Sequence, residues 1–327
     1  MRSARILFTD NDLLTHPLVD DGAGGGVVDG EEVEVQVLRA GLGEQTAVTG
    51  YQCRTEDEVL AAVARVRPHA MVVQYAPITA RVLDAAVDCR IISRLGIGVD
   101  MIDLDAAAAR GVIVRNVPDY CVEEVATHAF AGAMALWRRL PQYDQEVRIA
   151  GEWAAARSAG RIGRLSQACV GLIGCGRIGR MVARGFQAWG AQVIVVDPGP
   201  VVDEYPRVDL ATLAARADII SLHAPLTAQT AHIVNTQFCD SLRRSPILVN
   251  TSRGGLIDES ALIAALHSGQ IAGAALDVFE VEPLSADSPL RTMPQVVLTP
   301  HAAWVSRDAL PDLRRRVAES IVAVLDA

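Results

Sequence analysis

Aromatic residues are scarce in this chain, only 4%, while hydrophobic residues make up 50%, so the core must be built from Ala, Val, Leu and Ile. Such a core suits parallel strands buried on both faces beneath Ala-rich helices. Basic charge is also in deficit: 30 Lys and Arg stand against 39 Asp and Glu, a formal net charge of −9. That balance argues against a nucleic-acid binder, which needs a basic face. It leaves room for an anionic substrate, because local arginines set the field of a small site. No uninterrupted apolar run approaches the roughly 20 residues of a membrane helix. The six cysteines (Cys53, Cys89, Cys121, Cys169, Cys175, Cys239) form no CxxC pair and no Cys/His cluster at metal-ligand spacing. No metal is expected, and the thiols read as buried and reduced, as in a cytoplasmic protein. The opening MRSARILFTDND reads as a strand with early charges rather than a signal peptide.

What the chain does have is alternation. Strand-like runs and helical stretches follow one another almost throughout its 327 residues, the pattern of βαβ units and a parallel sheet. Early strands are expected near residues 6–9, 33–38, 71–74 and 91–94, with helices over 56–66 and 79–86. A Gly-rich stretch at 20–30 has the composition of a mobile surface loop. A helical pattern spans 121–140, denser alternation runs from 168 to 299, and an amphipathic helix covers 306–325. The expected fold is α/β, with two Rossmann-like doubly wound parallel-sheet domains, one inserted into the other. Residues 1–100 plus 301–327 would form a substrate domain and 101–300 a dinucleotide domain.

The sequence VGLIGCGRIG ends in a GxGxxG turn at 174–179, set between a strand candidate and a helix candidate. Gly174 permits the tight turn, Gly176 lets backbone amides approach a pyrophosphate, and Gly179 lets helix pack on strand. The pyrophosphate would rest on the helix N-terminus, beside Arg177 and Ile178. Asp197 ends the next strand about 20 residues on, where a carboxylate binds ribose hydroxyls. It would repel a 2′-phosphate, and Pro198-Gly199-Pro200 supplies no Arg, so NAD is expected over NADP.

Three further strand ends carry Arg253 (ILVNTSRGGLID), Glu282 (AALDVFEVEP) and His301 (VVLTPHAAW). In open α/β sheets, ligands bind at the carboxyl ends of the strands. Reducing a 2-keto acid needs a cation for the carboxylate, and the planar fork of Arg binds one with two parallel hydrogen bonds. It also needs a proton for the ketone oxygen, which His supplies near neutrality. A carboxylate bonded to that His fixes its tautomer and favours its protonated form. Each residue alone has a plain structural reading, but their joint appearance at successive strand ends favours chemistry.

Together GLIGCGRIG, HAPLT, NTSRGGLIDE, ALDVFEVEP and TPHAAW resemble the D-isomer-specific 2-hydroxyacid dehydrogenase family, strongly from about residue 91 to 325. The resemblance implies an active site in an interdomain cleft, a dimer built on the cofactor domain, and NAD-linked interconversion of 2-keto and (R)-2-hydroxy acids. It gives Arg253 the substrate-binding role, Glu282 that of His partner and His301 that of acid/base; Glu280 competes, but the family's acid immediately precedes the Pro. Ala224, Pro225 and Thr230 match the adenosine side, while Thr251, Ser252 and Asp277 match positions near the nicotinamide. The turn RLGIGVD is similar to the loop whose amides, here those of Ile97 and Gly98, bind the substrate carboxylate. The HAAW segment with Arg94 is similar to the C-terminal-binding-protein branch, although position 76 is Ala where animal members carry His. Trp304 and Arg94 would then face the substrate, and side-chain specificity would depend on Trp304 and the segment around Tyr75. The apolar faces of the 121–140 helix imply contact with a second subunit. Alternatives are an NAD(H)-sensing scaffold, or a sister enzyme acting on a phosphonate.

Overall fold

The computed structural model describes residues 4–327 except 11, 15, 17, 21–24 and 200–203. The chain divides into two units, Met1–Tyr120 with Ser306–Ala327 and Cys121–Val305, so the second is one continuous segment set within the first. The first division falls later than residue 100 because a further strand still extends the first sheet.

In the first unit that sheet contains β1 (Arg5–Phe8), β2 (Val19–Asp20), β3 (Gly25–Val27), β4 (Ala47–Tyr51), β5 (Ala70–Val73), β6 (Ile91–Arg94) and β7 (Ile113–Arg115), ordered β2-β3-β4-β1-β5-β6-β7. The strands from β4 to β7 pair in parallel. Successive side chains on a strand point to opposite faces, and both faces are covered. Leu7, Met71, Val73 and Ile92 meet α2 (Glu56–Val66), α3 (Ala80–Ala85) and α4 (Leu104–Ala109). Ile6, Phe8, Val72 and Ile91 meet α1 (Val33–Leu42) and the last helix, Ala309–Leu325.

Two expectations change here. Residues 33–38 are helix, not strand. The run VEVQVL imitates period-2 alternation, yet the buried residues are Glu34, Val35 and Leu38, one face of a helix. Glu34 tolerates burial because Arg314 on the last helix binds it through Nε and Nη2 at 2.7 and 2.5 Å and also pairs with buried Glu32. The Gly-rich stretch is not simply a loop: residues 21–24 lie outside the described set, but β3 forms an antiparallel edge. A Cβ on Gly25 would fall 2.3 Å from the Tyr51 ring, and one on Gly26 2.2 Å from the Val19 carbonyl, so glycine permits the close approach.

The second unit has an all-parallel sheet of β8 (Cys169–Ile173), β9 (Gln192–Val196), β10 (Ile219–Leu222), β11 (Ile247–Asn250), β12 (Gly273–Leu276) and β13 (Val296–Leu298), ordered β13-β12-β11-β10-β8-β9. Strand order reverses beside β8, the place where doubly wound sheets bind ligands. On one face lie α5 (Val122–Trp137), followed by the short α6 (Leu140–Gln145), and α7 (Arg177–Ala188). On the other lie α8 (Leu210–Arg216), α9 (Thr236–Ser241) and α10 (Glu259–Ser268). Phe130 of α5 packs against Phe186 of α7 with ring centroids 4.8 Å apart and the rings tilted by 55°, so much of the second apolar face of α5 is satisfied within its own unit.

Candidate active site and dinucleotide turn

The turn between β8 and α7 is shaped by its glycines. Gly174 has φ +93°, and a Cβ there would collide with the His223 carbonyl at about 2.6 Å. A Cβ on Gly179 would lie 2.5 Å from the Gly174 carbonyl. At Gly176, the residue before α7, a Cβ would meet nothing within 4 Å. That open space at a helix N-terminus fits a pyrophosphate held by amides, with Arg177 exposed and Ile178 half-buried in the first turn.

Asp197 accepts the Cys175 amide at 2.6 Å and the Gly199 amide at 2.7 Å, so its carboxylate is fixed at the end of β9. It lines a cavity of about 240 Å³ with Gly176, Arg180, Tyr205 and Arg207. The fold thus brings two arginines to a cleft where the sequence next to Asp197 offers none. Arg207 donates to the Gly199 carbonyl at 2.6 Å and Arg180 to that of Cys175 at 3.2 Å. Cys175 also lines the cavity, and burial pushes its thiol above the ordinary range. Thr230 donates to the Pro225 carbonyl at 2.6 Å and accepts the Thr227 amide, shaping the loop after buried Ala224. Beneath lies His223, bonded to Ser221 through Nε2 at 2.9 Å, and burial pushes its imidazole down to about 4.

Beyond β11, Ser252 bonds back to the Leu222 carbonyl at 2.9 Å and to Asn250. The buried hydroxyl of Thr251 has no partner among the described residues, which fits a site that receives a polar group. A Cβ on Gly254 would lie 1.9 Å from the Phe279 backbone, so only glycine lets the loop bearing Arg253 pack against the loop bearing Glu282. Glu282 precedes a cis Pro283 and accepts the Phe279 amide at 3.0 Å. Its Oε2 lies 2.8 Å from Nδ1 of His301. Burial alone would raise the Glu282 carboxyl. The bonds and charge from His301, the Phe279 amide and the nearby Arg253 outweigh it and hold the carboxyl below its usual range. The competing Glu280 is committed elsewhere: it pairs with His232 at 2.6 Å and accepts the Glu259 amide.

His301 is in the left-handed region, φ +52°, which is uncommon for a residue with a Cβ. Its amide donates to the Asp277 carbonyl at 2.8 Å, and the Asp277 carboxylate accepts the Ala302 and Ala303 amides, each at 2.9 Å. Trp304 closes the turn, its indole N–H donating to the His301 carbonyl at 2.8 Å. Asp277 therefore clamps the turn that carries the imidazole, a role the sequence did not reveal.

The remaining candidates belong to the first unit. Arg94 ends β6 with its buried guanidinium donating to the Leu95 carbonyl at 2.7 Å. Gly96, at φ +141°, leaves the space that this guanidinium occupies. Asn116 holds the Ile97 carbonyl at 2.5 Å, and Gly98 follows in the same loop. Tyr75 stands in the adjacent loop after β5, which is shaped by Asp10. That buried carboxylate accepts the amides of Gln74, Tyr75 and Ala76 and the Thr9 hydroxyl. Among the described residues no His/Cys/Asp/Glu group could hold a metal, and no helix is long and apolar enough to cross a membrane.

A doubly wound sheet whose strand-end loops carry a glycine turn, an Arg, a Glu–His pair and an Asp clamp has the architecture of a dinucleotide-binding protein. Residues 130–303 match the family model described as D-isomer specific 2-hydroxyacid dehydrogenase, NAD binding domain. The chain belongs to that family, its second unit is the NAD-binding domain, and NAD is the cofactor that fits. It is 40% identical over 260 residues to a glyoxylate reductase of Korarchaeum cryptofilum, covering 76% of each chain. It is 38% identical over 288 residues to D-3-phosphoglycerate dehydrogenase of Mycobacterium tuberculosis, 86% of this chain but 53% of that one. The chain thus spans about half the length of that relative. Among solved structures, D-lactate dehydrogenase from Aquifex aeolicus, complexed with NAD and lactic acid, matches at TM-score 0.80 and 25% identity, covering 98% of this chain and 96% of the other.

Proposed function

We propose that this protein is an NAD-dependent oxidoreductase interconverting a 2-keto acid and an (R)-2-hydroxy acid. The observation that carries the reading is the 2.8 Å His301–Glu282 bond beside Arg253, three residues from three strand-end loops. When bound, the nicotinamide supplies the hydride in reduction and takes it up in oxidation. Arg253 grips the substrate carboxylate with its planar fork. His301, held at Nδ1 by Glu282, delivers a proton from Nε2 to the ketone oxygen and removes it in the reverse direction. Glu282 keeps the tautomer and stabilises the imidazolium.

Gly174, Gly176, Arg177, Ile178 and Gly179 hold the pyrophosphate, Asp197 the ribose, and Ala224, Pro225 and Thr230 line the adenosine side. Thr251, Ser252 and Asp277 stand at the nicotinamide end. In the first unit, the substrate domain, the amides of Ile97 and Gly98 with Arg94 are assigned to the substrate carboxylate and Tyr75 to its side chain, while Trp304, in the second unit, is assigned to that side chain as well. Partners are a small keto acid and a second copy of the chain. A homodimer is supported by Leu140, Val147, Ile149 and Trp153, which expose 57, 50, 82 and 90% of their surface along one arm after α5. Six buried free cysteines support a reducing, cytoplasmic setting.

The test is NADH oxidation against 2-keto acids graded in size, charge and phosphonate content. Turnover of at least one carboxylate substrate is expected. NADH binding without turnover of any of them would favour the scaffold reading instead.

A further inference from the structure

Behind the turn that carries His301 runs a second chain of hydrogen bonds, beginning on a helix far from it in sequence. His128 lies on α5, which sits close over β12 because Gly132 leaves only 2.9 Å between a would-be Cβ and that of Ala275. The His128 Nε2 is 3.0 Å from the Thr299 hydroxyl, and that hydroxyl donates to Asp277 Oδ1 at 2.5 Å. An ionised carboxylate can only accept, so the single hydroxyl proton of Thr299 is committed to Asp277. Toward His128 the hydroxyl must therefore accept, and Nε2 carries the donated proton. Asp277 is 2% exposed and its two oxygens already hold the Ala302 and Ala303 amides.

We propose that His128 is a positioning residue for the acid–base turn, fixing Thr299 on Asp277 and thereby the carboxylate that clamps residues 301–303. Resting on the reductase reading, it assigns His128 no contact with substrate or cofactor. His128 acts by keeping the left-handed backbone at His301, φ +52°, from relaxing, and with it the imidazole's aim at Glu282. Small errors in the aim of a reacting group cost rate more than binding.

The experiment compares His128→Phe, Thr299→Val, the double variant and His128→Gln. In the protein without cofactor, an Nδ1 proton of His301 bonded to Glu282 should give a downfield NMR resonance. That resonance should broaden or vanish in the Phe and Val variants and persist in His128→Gln, whose side-chain amide can still donate. In turnover, the two single variants should each lose about tenfold in kcat with KM and NADH affinity within about twofold. The double variant should fall no further than either single, because one path is broken once, and His128→Gln should recover most of the rate. A retained resonance in both single variants, additive losses, or losses confined to thermal stability would overturn the assignment. If the wild type reduces no keto acid, the reductase reading fails, and the resonance in the cofactor-free protein still decides the role of His128.

Discussion

Among the described residues of the second unit, six parallel strands end in loops whose shape is written in short motifs. Among those of the first, five parallel strands and an antiparallel edge end in loops held by buried polar residues scattered along the chain. Gly174, Gly179 and Gly254 permit backbone contacts that a Cβ would forbid, so motif and geometry coincide. The Tyr75 loop instead depends on Asp10, more than sixty residues away in sequence, and α1 depends on Arg314, 280 residues from Glu34. The residues proposed for the chemistry lie where the chain is locally constrained, whereas the Tyr75 loop, proposed to read the substrate's side chain, is held by a long-range polar contact.

The sharpest way to break this contrast is in the motif-built unit. Arg253→Ala should cut kcat/KM by about 10³-fold, about 4 kcal/mol, while thermal stability and NADH affinity barely move. Steady-state kinetics and NADH fluorescence titration check it, and a loss of folding instead would make Arg253 structural. In the first unit the effect should be on stability. Arg314→Met removes the guanidinium from Glu34 and Glu32, leaving Glu32 its His16 contacts, and should cost about 3 kcal/mol in urea unfolding. Replacing all three by apolar residues should restore most of it, because the ion group is not needed once the lone charges are gone. If the single variant costs nothing measurable, α1 and the last helix are held by apolar packing alone.

How much could be read in advance follows the same division. The turn at Gly174, the acid at Asp197 and the trio Arg253, Glu282, His301 were legible because each motif is contiguous and sits after a plain apolar strand. In the structure Glu282 bonds His301, whereas Glu280 pairs with His232 and accepts the Glu259 amide. Helix α1 was misread because a buried Glu looks like the solvent side of a strand until its arginine partner is known. Arg207 and Arg180 were overlooked because only the fold carries them to Asp197, and Asp10 and His128 because nothing local marks a residue that works through distant backbone or side-chain groups.

Smaller effects refine the cofactor end. Asp197→Ala should weaken NADH about tenfold, roughly 1.4 kcal/mol, and NADPH less. An unchanged NADH/NADPH ratio would mean that Arg180 and Arg207 set the preference. His223 adds a pH signature. Its imidazole is depressed to about 4 in the folded protein, so the folded state binds fewer protons than the unfolded one in the acid range. Stability is then fully present above the ordinary value of 6.5 and is lost as pH falls toward 4. Between pH 7 and 5.5 the loss should be on the order of 1 kcal/mol, and His223→Asn should flatten that slope. An equally steep slope in the variant would assign the acid sensitivity to other groups. The carboxyl of Glu282 is held below its usual 4.5, so its pairing with His301 should fail only in stronger acid than that.

Most direct is single-turnover reduction by His301→Gln. A glutamine leaves the NADH site intact but cannot deliver the proton, so hydride transfer should fall by about 10² to 10⁴-fold with NADH affinity unchanged. Turnover near the wild-type rate, with a substrate that the wild type reduces, would contradict the assignment of His301 as the acid and with it the proposed mechanism.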